Sequence, residues 1–300
     1  MSYPFLSVII PVYNNEQGIS RVLDALQQQT YPREQYEIIV IDNGSDDNSV
    51  DVIKRYPDVS LLFEHRYKGS PYSARNRGIE QALGDILIFL DSTCVPIKNW
   101  LQHGIDCMIH NKADLLGGNI KFHFPSKIKV HHIYESLMTI RVKESIERRQ
   151  SMIGGNLFVK KQVFSELGKF PEGLRSGGDV RWTTMATSRG FILVYNEHAV
   201  VYIKPKSLHK FFSKMWRFGK ARPQRWEEEN IKVNVLKLFL NAFRPPARSA
   251  VRKIISERGQ PEMEKYLTRL WLYHFAVKFI QNIGNIYGIY LIRLKNRGRK

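Results

Sequence analysis

Over residues 1–90 the apolar positions come in short unbroken runs, separated by segments with helical spacing. Leu6–Val12 (LSVIIPV), Glu37–Ile41 (EIIVI), Val59–Phe63 and Asp85–Leu90 (DILIFL) are each long enough for a strand. Runs without polar alternation suit strands covered on both faces. Ile19, Val22, Leu23 and Leu26 repeat at helical spacing, and Tyr31-Pro32 closes that helix. A short helix is predicted around Val50–Arg55 and a longer one over Ser73–Leu83, ended by Gly84. Strands alternating with helices predict a parallel sheet whose ligands gather beyond the carboxyl ends of the strands. Polar clusters after Val12, Ile41 and Leu90 fall there.

Residues 115–200 are more mixed. They predict a strand over Leu115–Phe124, a helix near His132–Ser145, a strand–turn–helix over Asn156–Leu167, and a helix opening at Gly177-Gly178-Asp179. Further on, Leu208, Phe211, Phe212, Met215 and Trp216 share one helical stripe, while Lys210, Lys214 and Arg217 take another. Residues 271–292 carry Lys278 as their one formal charge and are long enough to span a bilayer. Yet His274, Lys278, Gln281, Asn282 and Asn285 fall on one face, which predicts an amphipathic helix lying on a surface. The expected organisation is an α/β domain over 1–205, with halves 1–114 and 115–205, followed by a basic helical region over 206–300.

Charge sharpens this division. The formal net charge is +18. Residues 1–100 carry 9 Lys/Arg against 13 Asp/Glu, residues 101–200 carry 14 against 9, and residues 201–300 carry 23 against 6. The excess sits on the helical region and predicts an anionic partner surface, acidic lipid or nucleic acid. That region has no zinc spacing and no RNP-like aromatic motif, so no specific nucleic acid is expected. Cys94 and Cys107 lack CxxC or zinc-ligand spacing, which argues against a disulfide framework and suits a reducing cytoplasm. Phe5–Val12 has no basic segment before it and reads as a strand, not a secretion signal. The expected location is the cytoplasm, peripheral at the inner face of the cell membrane. His131-His132 has no ligand-type neighbour at metal spacing and reads as a surface or acceptor-side pair.

Asp42 and Asp91 each end a buried strand, where a carboxylate serves a ligand or caps the next turn. With Arg75 and Asn76 between them in sequence, the set offers acceptors for a base and ribose and a cation for phosphates. Gly177-Gly178-Asp179 alone reads equally as a glycine turn with an Asp cap.

Four segments, SVIIPVYNNE (7–16), VIDNGSDD (40–47), SARNRGI (73–79) and FLDS (89–92), resemble in order and spacing the nucleotide-binding motifs of family 2 glycosyltransferases. GGNLFVKKQVFSELGKFPE (154–172) and SGGDVRW (176–182) resemble that family's acceptor-side segment and catalytic Asp motif. The resemblance covers residues 5–222. It implies a Rossmann-like GT-A fold, a nucleotide-diphosphate sugar (UDP- or GDP-linked) as donor, a saccharide or glycolipid acceptor, inversion, and a divalent metal, Mg²⁺ or Mn²⁺. Carried onto this sequence, it places Pro11, Val12, Tyr13 and Glu16 along the nucleotide pocket and Asp42, with Asn43, at the base. Arg75 would stand beside the base or diphosphate, and Asp91, with Ser92 and Thr93, by the ribose and metal. Gly154, Gly155 and Asn156 would border the sugar and acceptor, with Gly178 and Trp182 nearby. Asp179 would be the base.

Two positions depart from the family pattern. The DxD metal motif reads Asp91-Ser92-Thr93, so a threonine replaces the second carboxylate. The His expected after the strand that follows the catalytic helix is Lys204, with His209 further on. A lysine there suggests a direct contact with the diphosphate. Three other readings stay open: a nucleotidyltransferase, though the first loop is Pro-Val-Tyr-Asn and not glycine-rich; a degenerate transferase without activity; and a nucleic-acid-binding protein using the basic region.

Overall fold

The computed structural model describes residues 3–297 apart from 175, 229 and 260. In chain order the strands are β1 (Leu6–Val12), β2 (Tyr36–Asp42), β3 (Val59–Phe63), β4 (Ile86–Leu90), β5 (Val95–Pro96), β6 (Leu115–Phe122), β7 (Asn156–Lys160) and β8 (Leu193–Ile203). The helices are α1 (Glu16–Leu26), α2 (Ser49–Ile53), α3 (Pro71–Gln81), α4 (Trp100–His110), α5 (Val130–Met138), α6 (Val142–Arg149), α7 (Lys161–Leu167), α8 (Gly178–Ser188), α9 (Leu208–Glu228), α10 (Val235–Phe243), α11 (Arg248–Arg258) and α12 (Leu267–Arg297).

They form two compact units, Met1–His123 with Arg141–Ile203, and Phe124–Ile140 with Lys204–Lys300. The stretch near His132–Ser145, predicted as one helix, is two helices, α5 and α6, belonging to different units.

The first unit is built on one eight-stranded sheet ordered β3-β2-β1-β4-β7-β6-β8-β5. The β3-β2-β1-β4 half is parallel, as the alternation predicts, and Val12 lies in register with Asp42. Beyond it, β7 runs antiparallel to both β4 and β6, so the whole sheet is mixed. β1 is buried at every residue, matching its unbroken apolar run. Each such Val, Ile or Leu contributes about 1.5–3 kcal/mol when fully buried. A second core joins α7, α8 and β4, where the Trp182 ring stacks on Phe164 at 4.3 Å and Phe170 meets Phe89 at 5.2 Å.

The second unit is helical. Phe211 and Met215 of α9 are buried with Ile133, Tyr134 and Leu137 of α5, Val251 and Ile255 of α11, and Leu270 and Val277 of α12. Of the α9 apolar stripe, Phe211 and Met215 are therefore inside this core, Phe212 packs against it, and Leu208 and Trp216 stay exposed. The polar face of α12 also turns inward: His274 Nδ1 meets the Tyr134 hydroxyl at 2.9 Å, Lys278 donates to the Arg244 carbonyl at 2.7 Å, and Asn285 is buried. α9 and α12 approach at backbone distance where both carry glycine. A Cβ on Gly288 would stand 2.5 Å from the Lys220 carbonyl, and one on Gly219 2.5 Å from that of Gln281. Exposed apolar side chains include the stripe Leu236, Phe239, Leu240 and Phe243 on α10, 46–66% accessible, and Leu272, Tyr287, Tyr290 and Leu294 on α12. No helix among the described residues is long and apolar enough to cross a membrane. Of the basic C-terminal residues, Arg299 and Lys300 lie outside the described residues.

Candidate active site

The parallel half of the sheet delivers three loops to its carboxyl edge, and side-chain hydrogen bonds tie them together. Asn15 Nδ2 donates to the Ser92 carbonyl (2.8 Å) and hydroxyl (3.0 Å), joining the β1 and β4 loops. Asn15 N donates to Ser49 Oγ and Asn14 N to Ser45 Oγ, each at 3.0 Å, joining β1 to β2. Glu16 Oε2 accepts from Asn48 Nδ2 at 3.2 Å in the same seam. Pro11 and Val12 are buried beneath these loops, while Tyr13 projects to solvent with Lys68 Nζ 6.0 Å from its ring.

Asp42 is 2% exposed. Its Oδ2 accepts from Gly44 N (3.0 Å) and Ser45 N (3.1 Å), which is the capping role an Asp takes at a strand end. Its Oδ1 is buried with no hydrogen-bond partner, and so is Oδ1 of Asn43, whose Nδ2 donates to the Ser70 carbonyl. Unpaired buried acceptors are costly, and a ligand's N–H groups would satisfy them.

A second network runs from α3 across to α8. Ser70 caps α3 and Pro71 occupies its first turn, which starts the helix where Tyr72 and Arg75 point inward. Arg75, also 2% exposed, donates through one terminal nitrogen to Asp91 Oδ1 at 2.6 Å and to the Gly154 carbonyl at 2.9 Å. Gly154 N donates to Asp179 Oδ2 at 2.7 Å, and the Tyr72 hydroxyl to Asp179 Oδ1 at 3.2 Å. Burial first, and then the Asp179 charge, push the Tyr72 phenol well above its ordinary pKa, so it stays a donor. A Cβ at 154 would lie 2.6 Å from the Arg75 guanidinium carbon, so any larger residue there would displace the Arg75 head. At 155 a Cβ would lie 3.1 Å from Asp91 Oδ2. Asp91 and Asp179, both half-buried, thus belong to one hydrogen-bonded line through Arg75 and Gly154.

Comparisons with known proteins identify the family. A family model described as Glycosyl transferase family 2 matches residues 7–168. Glycosyltransferase AglE of Haloferax volcanii is 36% identical over 292 residues, covering 94% of this chain and 95% of AglE. The chain belongs to glycosyl transferase family 2. Its fold is the GT-A fold. The mannosyltransferase PcManGT from Pyrobaculum calidifontis, solved with GDP-Man and Mn²⁺, superposes with a TM-score of 0.65 at 19% identity, covering 96% of this chain and 88% of that one. S. aureus TarS 1–349 in complex with UDP-GlcNAc superposes at 0.57 with 20% identity, covering 95% and 91%.

Within this family 2 framework several expected site residues take other places. Asn156 is fully buried and its amide is spent inside the protein: Oδ1 accepts from Trp100 Nε1 at 2.9 Å, and Nδ2 donates to the carbonyls of Asn119 (3.1 Å) and Ala199 (2.9 Å). It pins β6, β7 and β8 together and has nothing left for an acceptor. Trp182 is core as well, stacked on Phe164 with Nε1 donating to the Gly168 carbonyl at 2.8 Å, so it offers no face to a sugar. Gly178 packs against the Tyr72 ring, where a Cβ would stand 2.9 Å away. Arg75 is committed to Asp91 and Gly154, which makes it the residue that orients Asp91. Lys204 is exposed, directly after β8, and is counted in the helical unit.

PcManGT carries Mn²⁺, but the donor set here does not fit a protein-held divalent ion. Asp91 is the one carboxylate of its motif, its Oδ1 is taken by the Arg75 guanidinium, and Thr93 is exposed in place of the second acid. Among the described residues no three His, Cys, Asp or Glu side chains gather at metal spacing. Asn15 and Tyr72 were not singled out by sequence. Asn15 lies inside the first motif, and Tyr72 stands one residue ahead of the third, so adjacency to motifs was the available signal.

Proposed function

We propose that this chain moves a sugar from a UDP- or GDP-linked donor to a hydroxyl of a saccharide or lipid-linked acceptor, with inversion, in surface polysaccharide or glycolipid synthesis. The observation that carries the reading is the line Asp91–Arg75–Gly154–Asp179, which sets two half-buried carboxylates at either end of one rigid bridge. Asp42 Oδ1 is the acceptor offered to a base N–H, and the Asp91 oxygen not held by Arg75 is offered to a ribose hydroxyl. The acceptor oxygen bonds to the anomeric carbon as the bond from that carbon to the phosphate oxygen breaks. The electron pair leaves with the nucleoside diphosphate, and the hydroxyl proton passes to Asp179. One displacement of this kind inverts the centre. A carboxylate is base enough because the proton moves late, after charge has built on the attacking oxygen. Donors bound by the neighbours, GDP-Man in PcManGT and UDP-GlcNAc in TarS, support a nucleotide-sugar donor.

Asp179→Asn keeps the shape and removes the proton acceptor. Transfer is expected to fall roughly 10²–10⁴-fold with donor affinity near that of the parent. Wild-type turnover in this variant would make the motif a structural cap.

A departing diphosphate needs cationic stabilisation. Thr93 in place of an acid and Lys204 in place of the expected His support the reading that Lys204 supplies part of that charge, since lysine binds phosphate as a point charge. Turnover in excess EDTA, with Lys204→Ala alongside, decides it. Activity that survives chelation and collapses in the variant is expected. Activity abolished by EDTA, restored by Mn²⁺ or Mg²⁺ and unchanged in Lys204→Ala rules it out.

For the helical unit the proposed partner is an anionic membrane surface. Support comes from the exposed α10 stripe, bordered by Lys232, Lys237, Arg244 and Arg248, all exposed, within the third of the chain that holds most of the net positive charge.

A further inference from the structure

The helical unit contains a hollow of about 670 Å³ lined by Lys129, His131, His132, Ser207, Leu208, Arg269 and four further apolar or aromatic side chains. That volume is in the range of small-molecule sites, roughly 300–1,000 Å³. The lining includes four nitrogen-bearing side chains and no carboxylate. It comes from the first turns of three helices: 130–132 begin α5, Leu208 begins α9, and Arg269 sits in the first turn of α12. Helix N-termini carry partial positive charge, so the starts of α5 and α9 favour an anion, while α12 continues from a 3-10 helix over Pro261–Tyr266 and adds the Arg269 side chain. His131 supplies the independent sign of a ligand. It is 5% exposed, and its Nε2 is buried with no hydrogen-bond partner. The remainder of the wall is apolar, with Val130, Pro205, Leu208, Leu272 and Tyr273.

We infer that this hollow binds a phosphate monoester, with Lys129 and Arg269 pairing to its charge, His131 Nε2 completing its hydrogen bonds, and Leu208 and Leu272 covering an apolar substituent. A monoester dianion suits two cations and an imidazole donor better than a monoanionic diester does. The same chemistry is presented by a lipid with a terminal phosphate or by a soluble phosphate ester. The apolar wall, with Leu272 52% exposed at it, favours the lipid. The site does not depend on the transfer reading, because binding is measured without donor.

The test uses the full chain. Inorganic phosphate, glycerol 3-phosphate, and vesicles with phosphatidic acid or phosphatidylglycerol at equal surface charge are titrated against the parent and a Lys129→Ala/Arg269→Ala variant. Both substituted residues are exposed, so the fold is expected to persist. Losing two charge-assisted contacts should weaken monoester binding by about tenfold or more. A preference for phosphatidic acid that inorganic phosphate competes away, and that the variant loses, supports the site with a lipid source. Variant-sensitive binding of the soluble phosphates alone supports it with a soluble one. Binding of every probe that is indifferent to the variant, or no binding at all, overturns it. Perturbation of the His131 ring resonances by phosphate is a second readout, and its absence in the parent at saturating phosphate also overturns the assignment.

Discussion

Particular buried charges in the two units make a contrast, although the helical unit also keeps His131 Nε2 and Asn285 Oδ1 unpaired. In the α/β unit Asp42 and Arg75 are buried with an atom to spare: Asp42 Oδ1 and Arg75 Nε have no hydrogen-bond partner. In the helical unit the buried Glu135 has both oxygens engaged, one accepting from Lys206 N at 2.8 Å and the other 3.8 Å from Lys214 Nζ. Their apolar surfaces differ in the reverse sense. The α/β unit buries β1, β2 and β4 almost completely, whereas the helical unit leaves the four-residue α10 stripe in solvent. Unspent polar valence marks a place for a polar ligand, and unspent apolar surface beside positive charge marks a place for an anionic interface. Each contrast can be tested where it is sharpest.

In the α/β unit the largest effect on stability is expected at Arg75. Arg75→Leu keeps much of the volume but leaves Asp91 Oδ1 and the Gly154 carbonyl without their donor. Breaking a buried ion pair from one side costs about 3–5 kcal/mol. Asp91 is half-exposed and regains water, so the cost should lie near the lower figure, about 3 kcal/mol. Denaturant midpoints at unchanged slope would report it, together with weaker donor binding. An unchanged midpoint would mean that the bridge contributes nothing to the unit.

Next is the glycine crossing of the helical unit. Gly288→Val places side-chain atoms against the Lys220 backbone, which cannot retreat as a flexible side chain could. Overpacking of this kind costs roughly 1–3 kcal/mol, and β-branching adds helical strain. Loss of helical signal ahead of the α/β unit in a thermal scan is the expected outcome. A variant that melts like the parent would show that the two helices do not depend on this close approach.

The unequal legibility of the two units follows from the same physics. The strands β1 and β4 match the apolar runs within a residue, because a strand covered on both faces admits few polar positions, and β3 matches its run although it lies at the sheet edge and is only partly buried. Asp42, Arg75 and Asp91 were readable as a set because each stands in an ordered motif. Asn156 and Trp182 were misplaced: motif position says that a residue is close to the site, not whether its hydrogen bonds are already satisfied by Trp100, Ala199 or Gly168. β8 escaped periodicity because its burial alternates irregularly around a bulge opposite Gly118 and Asn119. The polar face of α12 was readable as a pattern but not as a direction. Polar spacing cannot tell water from Tyr134, the Arg244 carbonyl and the other groups those side chains meet.

The smallest effect, and the one that sharpens the comparison between buried and exposed stripes, belongs to α10. Phe239 and Leu240 are 46% and 60% exposed, so replacing both with Ser should leave stability within about 0.5 kcal/mol. On a membrane the same pair would bury apolar area worth about 1.5–3 kcal/mol per side chain at full insertion. Partial insertion still predicts about a tenfold loss of partitioning onto anionic vesicles. Phe211→Ser on α9 is the companion measurement. Phe211 is fully buried in the helical core, so it should destabilise the unit by about 3 kcal/mol or more, as large-to-small core changes do. Truncating the chain ahead of α12 is a poorer test, because it would uncover Phe211 and Met215 and create apolar surface the intact protein does not have. Sedimentation with vesicles of matched size and graded anionic content separates the cases. If the α10 double variant binds like the parent while salt still releases both, charge alone holds the protein to lipid and the exposed stripe serves another partner.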